Sequence, residues 1–186
     1  MTGLSLQPPP TAPGARVHLL QGEFYVSGDP GVVLTTTLGS CVATSLHDPI
    51  ARVGGMNHFL LPHGESVEGP EAVRYGAHAM ELLINGLMHA GAKKHRLEAK
   101  LFGGGRLSPH LQDVGAANVA FAERFLRDEG IAYLGGSTRG FGARRIQCWP
   151  ATGRVRQLAI AGSAAERLRT EQPPRPQDGG AVELFD

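Results

Sequence analysis

Cysteine is nearly absent: Cys41 and Cys148 are the only two in 186 residues, too few for a disulfide framework. A reducing, cytoplasmic setting in which both thiols stay free is the expectation. No apolar run approaches the ~20 residues a membrane helix requires, and Met1 to Arg16 lacks the charged-then-apolar order of a secretory signal. Charge of either sign is also scarce in blocks. No cluster of Lys or Arg exceeds two neighbours and the net charge is +1, a weak electrostatic footprint for nucleic acid. What is present is an ordinary globular composition, 41% hydrophobic and 19% charged, long enough for one domain with a sizeable core.

Proline and glycine mark the limits of that domain. Pro8-Pro9-Pro10 and Pro13-Gly14 break regular structure near the start, and Pro173, Pro174, Pro176 and Gly179-Gly180 do so near the end. The expectation is a disordered segment over 1–16, one folded unit over 17–165, and a disordered tail over 166–186. Within the unit, β-branched Val32 to Leu38 reads as a strand. Cys41 to Leu46, closed by Asp48-Pro49, and Val53 to Leu61, ended by Pro62, read as two more. From Glu71 to Ala90 the period changes. Val73, Ala77, Met80, Ile84, Leu87 and Met88 keep helical spacing, with Gly91 as the stop. Leu97 to Phe102 reads as a strand running into Gly103-Gly104-Gly105. Asp113 is placed to cap a second helix with Ala117, Phe121 and Phe125 on one face and Gly130 past its end. Ile131 to Leu134 follows, then Arg144 to Trp149 and Arg154 to Ile160 as a hairpin. Strands outnumber helices and short turns join them. The fold class is α+β: a sandwich of mostly antiparallel sheet with helices packed on the outside.

The chemistry centres on Cys41, just past Gly39-Ser40, and His58, seventeen residues on. A thiol and an imidazole within hydrogen-bond reach are the two groups that thiol catalysis needs. An unperturbed cysteine is only about 3% thiolate at pH 7. Pairing with an imidazolium is expected to lower its pKa and raise that fraction by up to ~30-fold. The imidazole can also protonate a leaving group and activate water. A third group should hold the ring. No acid lies in the surrounding strands, Asp48 in the turn being the nearest. A threonine hydroxyl from Thr35, Thr36 or Thr37 could accept from Nδ1–H, and spacing does not choose among the three. Zinc through Cys41, His47, His58 and His63 matches no usual ligand spacing, so no metal is expected. Cys148, in Ile146-Gln147-Cys148-Trp149, reads as strand core, and Gly103-Gly104-Gly105 lacks the Lys-Ser/Thr of a phosphate loop. Ser40 and Asn57 are candidates to position the thiol or donate to an oxyanion, as are backbone N–H groups near Cys41.

The ordered set Thr35-x-x-Leu38-Gly39-Ser40-Cys41-Val42, Asp48-Pro49 and Gly55-Met56-Asn57-His58-Phe59-Leu60-Leu61-Pro62 resembles the CheD family of chemoreceptor glutamine deamidases. Leu101-Phe102-Gly103-Gly104-Gly105, Asn118-Val119-x-Phe121-Ala122, Gly135-Gly136 to Arg145-Ile146 and Thr152-Gly153 extend the resemblance from about Gly22 to Leu158. It implies an α+β sandwich related to deamidating bacterial toxins. It implies Cys41 as nucleophile, His58 as its partner and Thr35 as the third member. It favours Gly103, Gly104 and Gly105 as a wall of the substrate site, where Ser40 and Asn57 are the further candidates read from the residues themselves. No metal or organic cofactor is implied. The implied substrates are glutamines on cytoplasmic helices of methyl-accepting chemoreceptors, which become glutamates. A CheC-type phosphatase is an implied partner, and a regulatory binding module with little turnover is the competing reading. Hydrolysis of receptor methyl esters by the same acyl-thioester route is a third.

Overall fold

The alternation along each strand sorts its side chains into two cores, and the layers follow from that. The computed structural model describes residues 14–61, 70–106, 113–160 and 182–185. One five-stranded sheet runs in the order β1 (Arg16–His18), β3 (Val33–Leu38), β8 (Ala143–Trp149), β9 (Arg154–Ile160) and β10 (Val182–Phe185). The other runs β2 (Phe24–Ser27), β5 (Val53–Asn57), β4 (Val42–Asp48), β6 (Glu98–Gly103) and β7 (Ala132–Thr138). All neighbours are antiparallel except β1 with β3 and β6 with β7. Helices α1 (Pro70–His89) and α2 (Val114–Asp128) cover the outer face of the second sheet. The expected α+β sandwich is what forms, with its helices confined to one side.

β4 shows why the middle layer carries so little polar alternation. Val42 and Leu46 point to the helices, while Ala43 joins Leu34, Leu38, Met56 and Phe102 between the sheets. Both faces are covered, so both are apolar. Asp48 closes the strand fully buried, accepting backbone hydrogen bonds from Ile50, Ala51 and Lys93, each at 2.9 Å. It also pairs with Arg96, Nε at 2.9 Å and the terminal nitrogen at 2.7 Å.

The helices begin and end where the sequence places them, but their faces turn slightly. Asp113 caps α2 by accepting from Ala116 N–H, and Gly91 and Gly130 close the two helices at positive φ. In α1, however, Val73 and Met88 are 42% and 47% exposed, whereas Gly76, Ala79 and Leu83 are buried. Gly76 lets the helices meet, since a Cβ there would lie 2.6 Å from both Leu61 and Phe121. Ala117 of α2 likewise faces solvent, while Asn118 and Val119 turn inward.

Three strands are additional to the sequence reading. β1 begins at Arg16, inside the segment expected to be disordered, and β2 fills the gap before β3. β10 corrects the disordered tail: Val182–Phe185 pairs antiparallel with β9, and Phe185 meets Phe102 edge-on at 5.2 Å. Alternation in Val182-Glu183-Leu184-Phe185 suits a strand, but the Pro/Gly-rich stretch before it hides the pattern. The remainder of that expected tail, residues 1–13, and Pro62 lie outside the described residues.

Candidate active site

Cys41 sits immediately before β4, and the antiparallel register carries His58 to its side. Val42 and Phe59 exchange two backbone hydrogen bonds of 2.9 Å, continuing the ladder that pairs Ser45 with Met56. His58 therefore stands opposite Ala43, and Cys41, two residues earlier, is its diagonal neighbour on the face between the sheets. Diagonal positions are separated by about 7–8 Å along the backbone, within reach of long side chains. The thiol is half-buried at the edge of the inter-sheet core, while the imidazole is only 7% exposed.

The ring of His58 is held from one side. Its Nδ1 lies 2.9 Å from Thr36 Oγ1 and 3.4 Å from Leu19 O, and the Thr36 hydroxyl donates to that same carbonyl at 2.9 Å. With its proton committed, Thr36 Oγ1 can only accept from the ring. Nδ1 thus carries the hydrogen, and Nε2 keeps a free lone pair. Nε2 is buried and, among the described residues, has no hydrogen-bond partner. A buried polar atom left unpaired is costly, and such positions mark sites that another group completes.

The threonine at His58 is Thr36, where the family resemblance implied Thr35. Alternation along β3 decides the matter: Thr36 faces inward with Leu34 and Leu38, and Thr35 points to the opposite face. There its hydroxyl lies 3.2 Å from Nδ1 of the exposed His18.

A second correction concerns charge. Burial pushes the Cys41 thiol up to about 11, its own backbone N–H opposing. Burial lowers His58 to about 4, with the Leu19 carbonyl opposing and His18 adding a small push downward. The expected thiolate–imidazolium pair is therefore a neutral thiol beside a neutral base. The cause is burial, which disfavours either ion, and the sulfur's hydrogen bond, to Gln21 Oε1 at 3.6 Å, brings it no charged partner.

The three glycines that end β6 and follow it lie against the cysteine loop, as walls for its backbone. Gly104 N–H donates to Cys41 O and Gly105 N–H to Gly39 O, both at 2.7 Å, while Gly103 O accepts from Arg139 N–H at 2.8 Å. A Cβ at Gly103 would stand 2.2 Å from Cys41 O, and one at Gly104 2.2 Å from Val119. Ser40 O accepts from Asn118 Nδ2 at 2.9 Å, and Asn118 Oδ1 accepts from Leu61 N–H at 2.9 Å. That fully buried amide ties the cysteine loop to the segment following His58. Its polarity within the apolar face of α2 is the sequence signal that could have singled it out.

Asn57 is not at the thiol. It faces the helices, one step out of phase with His58, and its amide serves Thr44 N–H at 2.9 Å, Ala79 O at 3.2 Å and Met80 Sδ at 3.5 Å. The amide that is at the thiol belongs to Gln21, on an exposed loop where no spacing pattern announces it. Cys148 is fully buried, its sulfur 3.4 Å from Ser45 Oγ and its pKa pushed up to about 11 by burial. Among the described residues no three of the histidine, cysteine and acidic side chains gather as a metal site. His47 Nε2 lies 3.3 Å from Ala151 O, and His63 is outside the described residues.

A half-buried thiol diagonal to an oriented imidazole on the same sheet face, with no hydrogen bond between them in the resting site, is an arrangement that cysteine-based acyl chemistry can use. The chain matches the family described as CheD chemotactic sensory transduction over residues 60–158, a span that opens two residues after His58. Its relatives extend over the whole site. It is 56% identical over 179 residues to "Probable chemoreceptor glutamine deamidase CheD" of Caulobacter sp. (strain K31), covering 94% of this chain and 95% of the relative. A protein of the same name from Sinorhizobium medicae (strain WSM419) is 54% identical over 88% of this chain and 91% of its own. A Neisseria meningitidis protein of solved structure shares 15% identity over 67% of this chain and 64% of its own, with a TM-score of 0.44. The chain belongs to the CheD family.

Proposed function

We propose that this protein is a protein-glutamine deamidase of bacterial chemotaxis, converting glutamines on the cytoplasmic helices of methyl-accepting chemoreceptors to glutamates. The observation that carries the reading is the buried, unpartnered Nε2 of His58 on the same face as the Cys41 thiol. The names of the relatives supply the substrate class.

The chemistry follows from the neutral resting pair. As Cys41 sulfur adds to the carboxamide carbon, His58 Nε2 takes the thiol proton. The imidazolium so formed is transient, stabilised through Nδ1–H by Thr36 and the Leu19 carbonyl. It returns the proton to the departing nitrogen, the carbon–nitrogen bond breaks, and ammonia leaves a thioester on Cys41. Water, deprotonated by the now neutral His58, hydrolyses that thioester to the glutamate carboxylate and restores the thiol. Amide and water are consumed and glutamate and ammonia are formed. No step calls on a metal or organic cofactor. Each conversion adds one negative charge to a receptor helix, which alters packing against neighbouring helices. A CheC-type phosphatase is a second proposed partner, on the family resemblance alone.

The test is incubation with a chemoreceptor cytoplasmic fragment, with every glutamine read by mass spectrometry. Amide-to-acid mass gains at particular glutamines are expected. Binding of the fragment without any such gain would replace this reading with that of a regulatory binding module.

The threonine contact makes a narrower prediction. Thr36→Val should lower kcat by about 10–100-fold, the usual cost of losing a group that orients a working histidine. Thr35→Val should leave kcat nearly unchanged. The reverse ranking in a steady-state ammonia assay would return the role to Thr35.

A further inference from the structure

The carboxamide of Gln21 rests against the thiol, and nothing in the chemistry above uses it. Although exposed, Gln21 sits on a loop tied to the histidine itself. Gly22 N–H donates to His58 O at 2.7 Å, and His58 N–H donates to Glu23 O at 3.0 Å. The Glu23 carboxylate accepts from Leu20 N–H at 2.9 Å, and Leu19 O receives the Thr36 hydroxyl that fixes the imidazole. Any shift of the loop is therefore a shift of the base. Such bracing is more than a solvent-facing side chain requires.

Addition of sulfur to a carboxamide carbon sends the carbonyl π pair onto oxygen, close to the sulfur, and N–H donors must meet that charge. The nearby backbone donors of the glycine run are committed, Gly104 N–H to Cys41 O and Gly105 N–H to Gly39 O. The amide of Asn57 is spent on Thr44, Ala79 and Met80. Two donors remain close by. One is the backbone N–H of Cys41, the residue that carries the sulfur. The other is the NH2 of Gln21, on the carboxamide whose oxygen, in the resting site, is the atom 3.6 Å from Sγ.

We propose that Gln21 is a catalytic residue, its side-chain N–H joining the Cys41 backbone N–H to hold the oxyanion of the tetrahedral intermediate. The idea rests on the deamidase reading above. In the resting site Gln21 Oε1 accepts from the thiol. Once that proton passes to His58 the acceptor has no donor, and a turn about the last side-chain bond exchanges oxygen for NH2 at the same place. The same glutamine thus satisfies the thiol before attack and the oxyanion after it. When the intermediate collapses, the oxygen pair re-forms the carbonyl, the carbon–nitrogen bond breaks, and ammonia leaves with the proton from His58.

The experiment compares wild-type full-length protein with Gln21→Ala and Gln21→Glu in two assays on the same preparations. One is ammonia release from a chemoreceptor cytoplasmic fragment; the other is alkylation of Cys41 by iodoacetamide. Alkylation displaces iodide from a saturated carbon and builds no oxyanion, so it has no use for Gln21. Gln21→Ala is expected to lower kcat ~10²-fold, as loss of one oxyanion donor does, with KM little changed and alkylation at or above the wild-type rate. Gln21→Glu keeps the shape but cannot donate at neutral pH, and should fall at least as far. Full deamidation by Gln21→Ala would overturn the proposal, as would parallel loss of alkylation and deamidation, which would make Gln21 a prop for the thiol. If the wild-type protein itself releases no ammonia, the deamidase reading has failed first and takes this one with it.

Discussion

Cys41→Ala is expected to lose glutamine deamidation by a factor on the order of 10⁴–10⁶ in kcat, the scale seen when a nucleophile is removed from a unit that acts together. The resting state explains why nothing nearby can substitute. A thiol held at about 11 is ionised to only ~10⁻⁴ at pH 7, so the nucleophile has to be generated at the moment of attack. Cys148 is fully buried against Ser45 and has no route to a substrate. The fold should be indifferent to the change, since the Cys41 side chain makes one long hydrogen bond, to an exposed loop residue. Thermal melting should move little, and ammonia release from a receptor fragment should vanish. Retention of more than a few per cent of wild-type activity would mean that the sulfur of Cys41 is not what attacks. His58→Ala should fall almost as far, because it leaves only that ~10⁻⁴ fraction of thiolate to act.

The largest expected effect on stability lies at the other end of β4. Asp48→Ala should cost about 3 kcal/mol, the lower end for breaking a buried ion pair. The lower end applies because the Arg96 side chain is 20% exposed and can turn to water, whereas the amides of Ile50, Ala51 and Lys93 lose their acceptor in place. Burial alone would raise the Asp48 carboxyl, but hydrogen bonds from Ala51, Lys93, Arg96 and Ile50 outweigh it and hold the group well below the usual carboxylate range. A group depressed on folding contributes stability above its unfolded pKa and loses it as pH falls toward the folded value. The gap between wild type and variant in urea midpoint should therefore be full near pH 7 and narrow below about pH 4. A gap below 1 kcal/mol at neutral pH would show that the turn and the segment after α1 are held by other contacts.

Much of this architecture is legible in the residues because each central strand has turn chemistry on both sides. Gly39-Ser40 and Asp48-Pro49 bracket β4, and Ala151-Thr152-Gly153 bends β8 into β9. Helix limits are equally plain at Asp113, Gly91 and Gly130. What is not legible depends on phase. Three threonines in a row give no clue to which one faces inward. Only the packing of Leu34 and Leu38 between the sheets assigns that place to Thr36. Asn57 and His58 are neighbours in sequence and on opposite faces of one strand for the same reason. Gln21 escapes because a loop has no period at all. The short β1 and β2 escape because three or four residues are too few to establish one.

The contacts that brace Cys41 are made by backbone, and that has a consequence for how this site tolerates change. Gly104 and Gly105 hold the cysteine loop through N–H groups that every amino acid but proline possesses, and Gly103 pairs with Val42 beside it. Substitution there deletes no bonding atom. It adds one, and at Gly103 and Gly104 the added carbon would fall on Cys41 O or Val119, at backbone angles that already favour glycine. Variation at these positions is thus one-directional: alanine, the mildest replacement at most surfaces, already collides with a neighbour, and at Gly103 that neighbour is the nucleophile's own backbone. The geometry of the reacting sulfur is kept by what the chain leaves out.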